Sequence, residues 1–198
     1  MLQTCRLLLI GLALYLGMIL STPSLGQIDP DPDGLGVYFD TAATQVTASA
    51  EAGTNLQAYL VGTHLSVPGD IGYWQAKVCP GGTNGMAMIS GTPYGGFNFS
   101  MNMPGDGCWG CVTFGLEPAL PTQEITLLAS LDVQVWDDFP AGIVLDWEGG
   151  YYQVVGSDEM IPFHPSSGDL NLPVATVNAA APVATRADTW DSIKATYR

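Results

Sequence analysis

The chain has 198 residues, with 5 Lys or Arg against 19 Asp or Glu, for a formal net charge of −14 at pH 7. Charged residues make up 12%, about half the ~25% usual for soluble domains, and it is the shortage of Lys and Arg, not an excess of acids, that makes the chain acidic. With no basic cluster, such a surface repels nucleic acid and anionic lipid, so both are set aside as partners; it attracts divalent cations only weakly and without specificity.

Residues 1–26 have the three parts of a secretory signal. Arg6 supplies the positive n-region, Leu7 to Leu20 the apolar h-region, and Ser24-Leu25-Gly26 a small-x-small cleavage site. The apolar run is shorter than the roughly 20 residues that span a bilayer. Cleavage before Gln27 is therefore expected, with a secreted product (extracellular or periplasmic) and no membrane insertion. Cys5 lies upstream of the h-region, outside lipobox position. Removing residues 1–26 leaves Lys77, Arg186, Lys194 and Arg198 as the cations. The remainder is long enough for one domain with a sizeable core.

The stretch "IDPDPDGLGVYFD" comes next. Asp29, Asp31, Asp33, Gly34 and Asp40 fall on the ligand and glycine positions of an EF-type calcium loop, with Asp where the bidentate Glu stands. Pro30 and Pro32, however, hold Asp29 and Asp31 extended, so the carboxylates splay around a rod. Residues 27–34 are accordingly read as an extended Asp-Pro leader, with no cofactor expected and calcium as the weak exception. Leu35 to Asp40 is read as the first strand, with Val37 and Phe39 inward.

From residue 35 the dominant period is two, the mark of strands with one buried face. In "IGYWQAKV", Trp74, Ala76 and Val78 share one face and Tyr73, Gln75 and Lys77 the other. In "GFNFSMNM", Phe97, Phe99, Met101 and Met103 share a face; in "EITLLASLDVQVW", Ile125, Leu127, Ala129, Leu131, Val133 and Val135 point inward. Further strands are expected at 35–40, 43–49, 55–62, 85–90, 109–115, 142–147, 151–155 and 173–178, punctuated by Gly and Pro clusters. Short alternating strands without helices between them predict an all-β protein, an antiparallel two-sheet sandwich over residues 35–178.

Three cysteines lie beyond the signal: Cys79, Cys108 and Cys111. A Cys79–Cys108 or Cys79–Cys111 bridge would close a loop worth roughly 3–4 kcal/mol of chain entropy. The odd count leaves one thiol over. "GCWGC" has C-x-x-C spacing, but it lies among glycines before a strand and not at a helix N-terminus, so a structural disulfide is expected and not redox chemistry.

"AGIVLDWEGG" resembles the catalytic strand of the family-18 chitinases, D-x-x-D-x-D-x-E. The resemblance implies Glu148 as general acid and Asp146 as the residue that orients the substrate's acetamido group. Ala141 and Val144 stand at the first two acidic positions, and that family's (β/α)8 barrel takes roughly 250 residues. A solvated strand end is the plainer reading, so no enzyme is expected; a small glycoside hydrolase on Asp146 and Glu148 is the alternative. His64 and His164 sit in no ligand spacing.

Aromatics beside carboxylates suit binding better. Strand phase puts Tyr38, Tyr73 and Trp136 opposite the core set, Trp136 precedes Asp137 and Asp138, and Tyr151 and Tyr152 lie at a strand end. Tyr73, Trp136, Asp137, Asp138, Tyr151 and Tyr152 are thus the candidate binding residues, for an extracellular protein or, alternatively, a glycan. Beyond a small-residue connector at 179–187, "DTWDSIKATYR" (188–198) has Trp190, Ile193 and Tyr197 at helical spacing, Asp188 as N-cap, and Lys194 and Arg198 near its end. It predicts a short amphipathic helix.

"LGVYFD", "ITLLASLDVQVW" and "TWDSIKATYR" together resemble a loose group of uncharacterised secreted bacterial β-sandwich proteins. More distantly, the strand pattern resembles cohesin-type and carbohydrate-binding jelly rolls. The resemblance implies the sandwich fold, and a noncatalytic binding or structural role by analogy alone.

Overall fold

The computed structural model describes residues 29–81, 86–95, 98–102 and 106–179. The signal segment, the helix expected at 188–198 and all of the connector but Ala179 lie outside the described residues. In chain order the strands are β1 (Gly34–Tyr38), β2 (Thr47–Ala48), β3 (Asn55–Thr63), β4 (Asp70–Gly81), β5 (Met86–Pro93), β6 (Asn98–Asn102) and β7 (Trp109–Phe114), followed by β8 (Leu120–Pro121), β9 (Ile125–Val135), β10 (Ala141–Val154), β11 (Ile161–Pro162), β12 (His164–Pro165) and β13 (Ala175–Val177). They form a smaller sheet in the order β12-β1-β3-β9-β5 and a larger one, β2-β13-β10-β4-β7-β6, with β8 on β4 and β11 on β10. Among the described residues no helix is long and apolar enough to cross a membrane.

Alternation builds the core as expected. Leu35 and Val37 of β1, Ala58 and Leu60 of β3, and Leu131 and Val133 of β9 face Trp74, Ala76 and Val78 of β4 and Ile143 and Leu145 of β10. Trp74 and Trp109 fill the centre with ring centroids 6.4 Å apart. Each fully buried Val, Leu or Ile side chain among them contributes about 1.5–3 kcal/mol.

Four expectations change. The sheets are mixed and not purely antiparallel, because β1 pairs β12 and β13 pairs β2 in parallel. The strand expected at 43–49 shrinks to Thr47–Ala48, and the two expected at 142–147 and 151–155 are one long, irregular β10. In β9 a register shift opposite Leu60/Val61 turns Leu128 into the core. Ile125 and Leu127, expected inward, therefore join a second cluster with Tyr38, Ala43, Val46, Tyr59 and Val61. One extra residue in a strand reverses the facing of everything before it.

That second cluster buries Tyr38, which is 1% exposed. Its phase opposite the main core is as expected, but the loop from Phe39 to Val46 covers it. Asp40 pins this loop by accepting hydrogen bonds from Thr44 N (2.8 Å), Thr44 Oγ1 (2.5 Å) and Gln45 N (3.0 Å). Burial opposes the Asp40 charge, but these bonds outweigh it and hold the carboxyl below its usual range.

Candidate functional site

The loop from Phe39 to Val46 covers part of the smaller sheet's outer face. The outer face of the larger sheet carries half-exposed and exposed side chains, and register lays them out in three rows across β7, β4 and β10. Phe114 faces Tyr73, which faces Gln153; Val112 faces Gln75, which faces Tyr151; Gly110 faces Lys77, which faces Asp146. Phe114 is 57% exposed and packs on Tyr73 with centroids 5.2 Å apart. The Tyr73 hydroxyl donates to Gln75 Oε1 at 2.5 Å, fixing the ring on the sheet.

Lys77 sits at the third row, 2.8 Å from Asp146 and 3.4 Å from Asp106. Among the described residues it is the sole Lys or Arg. Its ammonium, followed by the Trp147 N–H, holds the Asp146 carboxyl below the usual carboxylate range. The Lys77 pKa is raised in turn, chiefly by its bond to Asp146.

Past Asp146 the pairing of β10 with β4 jumps from Asp146/Lys77 to Tyr151/Gln75. The intervening Trp147, Glu148, Gly149 and Gly150 all have positive φ, at 56°, 55°, 86° and 91°. Two L-residues in the left-handed region cost roughly 1–2 kcal/mol each. This bulge lays the Trp147 ring over Gly110, where a Cβ would come within 3.0 Å of it. Glu148 is exposed, and its Oε2 lies 3.4 Å from the Tyr151 hydroxyl. The stretch that resembles a chitinase strand therefore pairs regularly with β4 up to Asp146 and then runs into a bulge of the larger sheet. Asp146, which the resemblance casts as the orienting residue, is instead paired with Lys77, and Glu148, which it casts as the general acid, is an exposed residue of the bulge beside the Tyr151 hydroxyl.

The expected binding residues divide into three places. Tyr73 and Tyr151 lie on the larger sheet's outer face. Trp136, Asp137 and Asp138 belong to the loop joining β9 to β10, which enters the larger sheet where Gly142 pairs Gly81, about 20 Å along β4 from Tyr151 and about 26 Å from Tyr73. Tyr152 is fully buried and stacked on Phe163, so it faces no ligand. Its hydroxyl donates to Asp33 Oδ1 at 2.5 Å, and Ser66 N donates to the same oxygen at 2.8 Å. The pairing Tyr73–Phe114, the neighbour Val112 and the ring of Trp147 escape a reading of the sequence alone, although the alternation of Cys111, Val112, Thr113 and Phe114 already sets Val112 and Phe114 on the outward phase.

The four aspartates of the calcium-like spacing do not converge. Asp33 is buried, with its carboxyl engaged by Tyr152 and Ser66. Asp40 lies beyond the other end of β1, about 20 Å along an extended strand, and is bonded to its own loop. Asp29 accepts from Asp31 N at 3.1 Å, and burial raises its pKa. A calcium shell has a radius of only about 2.3–2.6 Å, so Asp33 and Asp40 cannot share one. Among the described residues no group of three or more His, Cys, Asp or Glu is placed to hold a metal.

Cys79 bonds Cys108. Cys111 is free and buried opposite Ala76 on the inward side of β7, and burial pushes its thiol up to about 12. Such a thiol is inert at neutral pH.

Burial also pushes Tyr38 and Tyr152 up to about 12, with the Asp33 carboxyl adding to the shift at Tyr152. Below the ordinary tyrosine pKa of about 10 both rings are neutral whether folded or unfolded, and their contribution is complete. Above it the unfolded chain releases these protons first, so stability is lost as pH rises through 10 towards 12. Urea denaturation should show a falling midpoint over that window, and Tyr38→Phe should flatten the fall.

A scan of protein-family models and a search of curated proteins return no match to this chain. Solved structures do match. The sixth cohesin of Acetivibrio cellulolyticus scaffoldin B, solved in complex with a Cel5 dockerin mutant, aligns with a TM-score of 0.51 at 14% identity, over 73% of this chain and 96% of that one. A Clostridium thermocellum cohesin, solved in the Coh-OlpC-Doc435 type I cohesin–dockerin complex, gives 0.51 at 11% identity, over 66% and 87%. A type II cohesin domain from the Acetivibrio cellulolyticus cellulosome gives 0.50 at 10%, over 76% and 98%. The architecture of this chain is the cohesin-like β-sandwich.

Proposed function

We propose that the chain is an exported, noncatalytic module that binds a protein partner through the outer face of the larger sheet. The observation that carries this is the packed Tyr73–Phe114 pair, an aromatic anchor on the outer face at the end of β7, with Phe114 exposed and Tyr73 half-buried beneath it. Rigid rings on a flat scaffold are what interface hot spots are made of. The fold supports the same reading by analogy, since two of the similar cohesins are solved bound to dockerins. The signal-like first 26 residues and the Cys79–Cys108 bond suit an oxidising compartment.

Charge sets the partner's chemistry. The chain is strongly acidic, and Lys77 is already engaged by two carboxylates. The partner therefore presents apolar groups to Tyr73 and Phe114 and basic side chains around them, with an association rate that falls with salt. A glycan is the second reading, favoured by Trp136, which is 64% exposed beside Asp137 and Asp138.

The test immobilises the intact chain, the Tyr73→Ser/Phe114→Ser variant and Trp136→Ala, and passes secreted proteins of the producing organism over each. The expected result is a protein held by the wild type and by Trp136→Ala but weakened about 10–100-fold by the double variant. Equal retention by all three, no retained protein, or sugar binding on a glycan array that Trp136→Ala abolishes, would overturn the protein-binding reading.

A further inference from the structure

The chain leaves the sandwich beside an aromatic, acidic loop. After β13 it passes through Asn178, whose side chain bonds Ala50 N and Ala50 O at 2.9 Å each. Asn178 and Ala179 line an open depression of about 640 Å³ with Ser49, Ala50, Glu51 and Asp138. Asp138 belongs to the loop 136–140, which also displays Trp136 and Phe139, 64% and 61% exposed. This loop is tied to the turn before β3 by Ala52 N, which donates to Asp138 Oδ1, and braced within itself by Phe139 N, which donates to Asp137 Oδ1, both at 2.9 Å. Two large rings and two carboxylates are thus presented at the point where residue 180 begins.

The C-terminal segment complements them. Residues 180–198 hold Arg186, Lys194 and Arg198, every Lys or Arg after Lys77, with Asp188 and Asp191 as their acids. At helical spacing Trp190, Ile193 and Tyr197 form one apolar stripe, Lys194 flanks it, and Asp188 falls opposite. A helix of this length is marginal in water unless that stripe is covered. Residues 180–187, when extended, span up to about 25 Å, enough to turn back on the same end of the sandwich.

We infer that residues 188–198 fold back onto the loop 136–140 of their own chain. Trp190, Ile193 and Tyr197 cover Trp136 and Phe139, and Lys194 and Arg198 lie towards Glu51 and Asp138. The surface lies apart from the Tyr73–Phe114 face, so this docking does not depend on the partner-binding reading.

Hydrogen exchange on the intact chain tests it, comparing the wild type with Trp136→Ser/Phe139→Ser and with Lys194→Glu/Arg198→Glu. Wild-type amides of 188–198 should exchange about 10-fold or more slowly than those of an unstructured peptide. Both variants should lose that protection while β3 and β9 keep theirs. The tail variant leaves the sandwich sequence untouched, so its result stands even if the loop variant folds poorly. The inference is overturned if the wild-type tail is unprotected, or if its protection survives either pair of substitutions. Loss of protection on about 100-fold dilution would also overturn it, since the occupant would then be a second copy's tail.

Discussion

Gly150→Ala should destabilise the fold by about 3–5 kcal/mol and lower its melting temperature by about 10 °C. Two independent causes act at this position. A Cβ on residue 150 would stand 2.1 Å from the Gln75 carbonyl oxygen, 3.1 Å from its carbon and 3.2 Å from the Ala76 Cα. All three are backbone atoms of β4 in the middle of the larger sheet, so no side chain can move aside. The φ of +91° adds the left-handed cost that an L-residue pays and glycine does not. Gly156 separates the two causes. Its φ is +83°, yet nothing lies within 4 Å of the point where a Cβ would stand, so Gly156→Ala should cost only about 1 kcal/mol. Thermal melts of both variants against the wild type check the contrast; equal shifts would show that the close approach to β4 is wrong.

Asp33→Ala should cost about 3 kcal/mol. The Asp33 Oδ1 receives both the Tyr152 hydroxyl and the Ser66 N–H, and its removal takes the acceptor from two donors at once. Alanine also pays for the φ of 58° that Asp tolerates. Asp33→Asn keeps the acceptor oxygen and tolerates that backbone, so it should cost under about 1 kcal/mol. Tyr152→Phe leaves Ser66 bonded and should fall near 1 kcal/mol. The same urea titrations would contradict this account if Asp33→Asn proved as damaging as Asp33→Ala.

These two residues also mark where the sequence can and cannot be read. The alternation in β1 and β4 places Val37, Trp74, Ala76 and Val78 in the core, because period two transmits directly to facing. It fails in β9 at Ile125 and Leu127, where one bulged residue reverses the phase and carries no residue-type signal. The bulge at 147–150 is illegible for a related reason: Trp and Glu are unusual in the left-handed region, and only Gly149-Gly150 hints at a departure from a strand. Asp33 looks like the end of a polar leader, since a buried carboxyl is legible only once its partner, 119 residues later in the chain, is known. The cysteine choice is closer to hand. Cys79 shares the outward phase of Tyr73 and Lys77, whereas Cys111 pairs Ala76 on the inward phase, which favours Cys108 as the partner.

The proposed binding face is half legible. Tyr73 and Tyr151 are expected to bind and do face outward, but Tyr152, one residue along the same strand, points the opposite way and is buried. Trp136, Asp137 and Asp138 are surface residues of a different part of the molecule, and nothing in a linear pattern tells one end of a sandwich from the middle of its sheet. What unites Tyr73, Val112, Phe114, Lys77 and Asp146 is cross-strand register among β7, β4 and β10, a property of the fold and not of any local motif.

Site-specific photo-cross-linking is the most direct test of the central claim. A photoreactive phenylalanine analogue is placed at Phe114, on the larger sheet's outer face, and separately at Asp132, an exposed position of β9 on the smaller sheet. After irradiation in the producing organism, position 114 should give a discrete protein adduct that position 132 does not, and Tyr73→Ser should diminish it. Adducts at 132 and none at 114, or the same adducts at both, would contradict a partner seated on the Tyr73–Phe114 face.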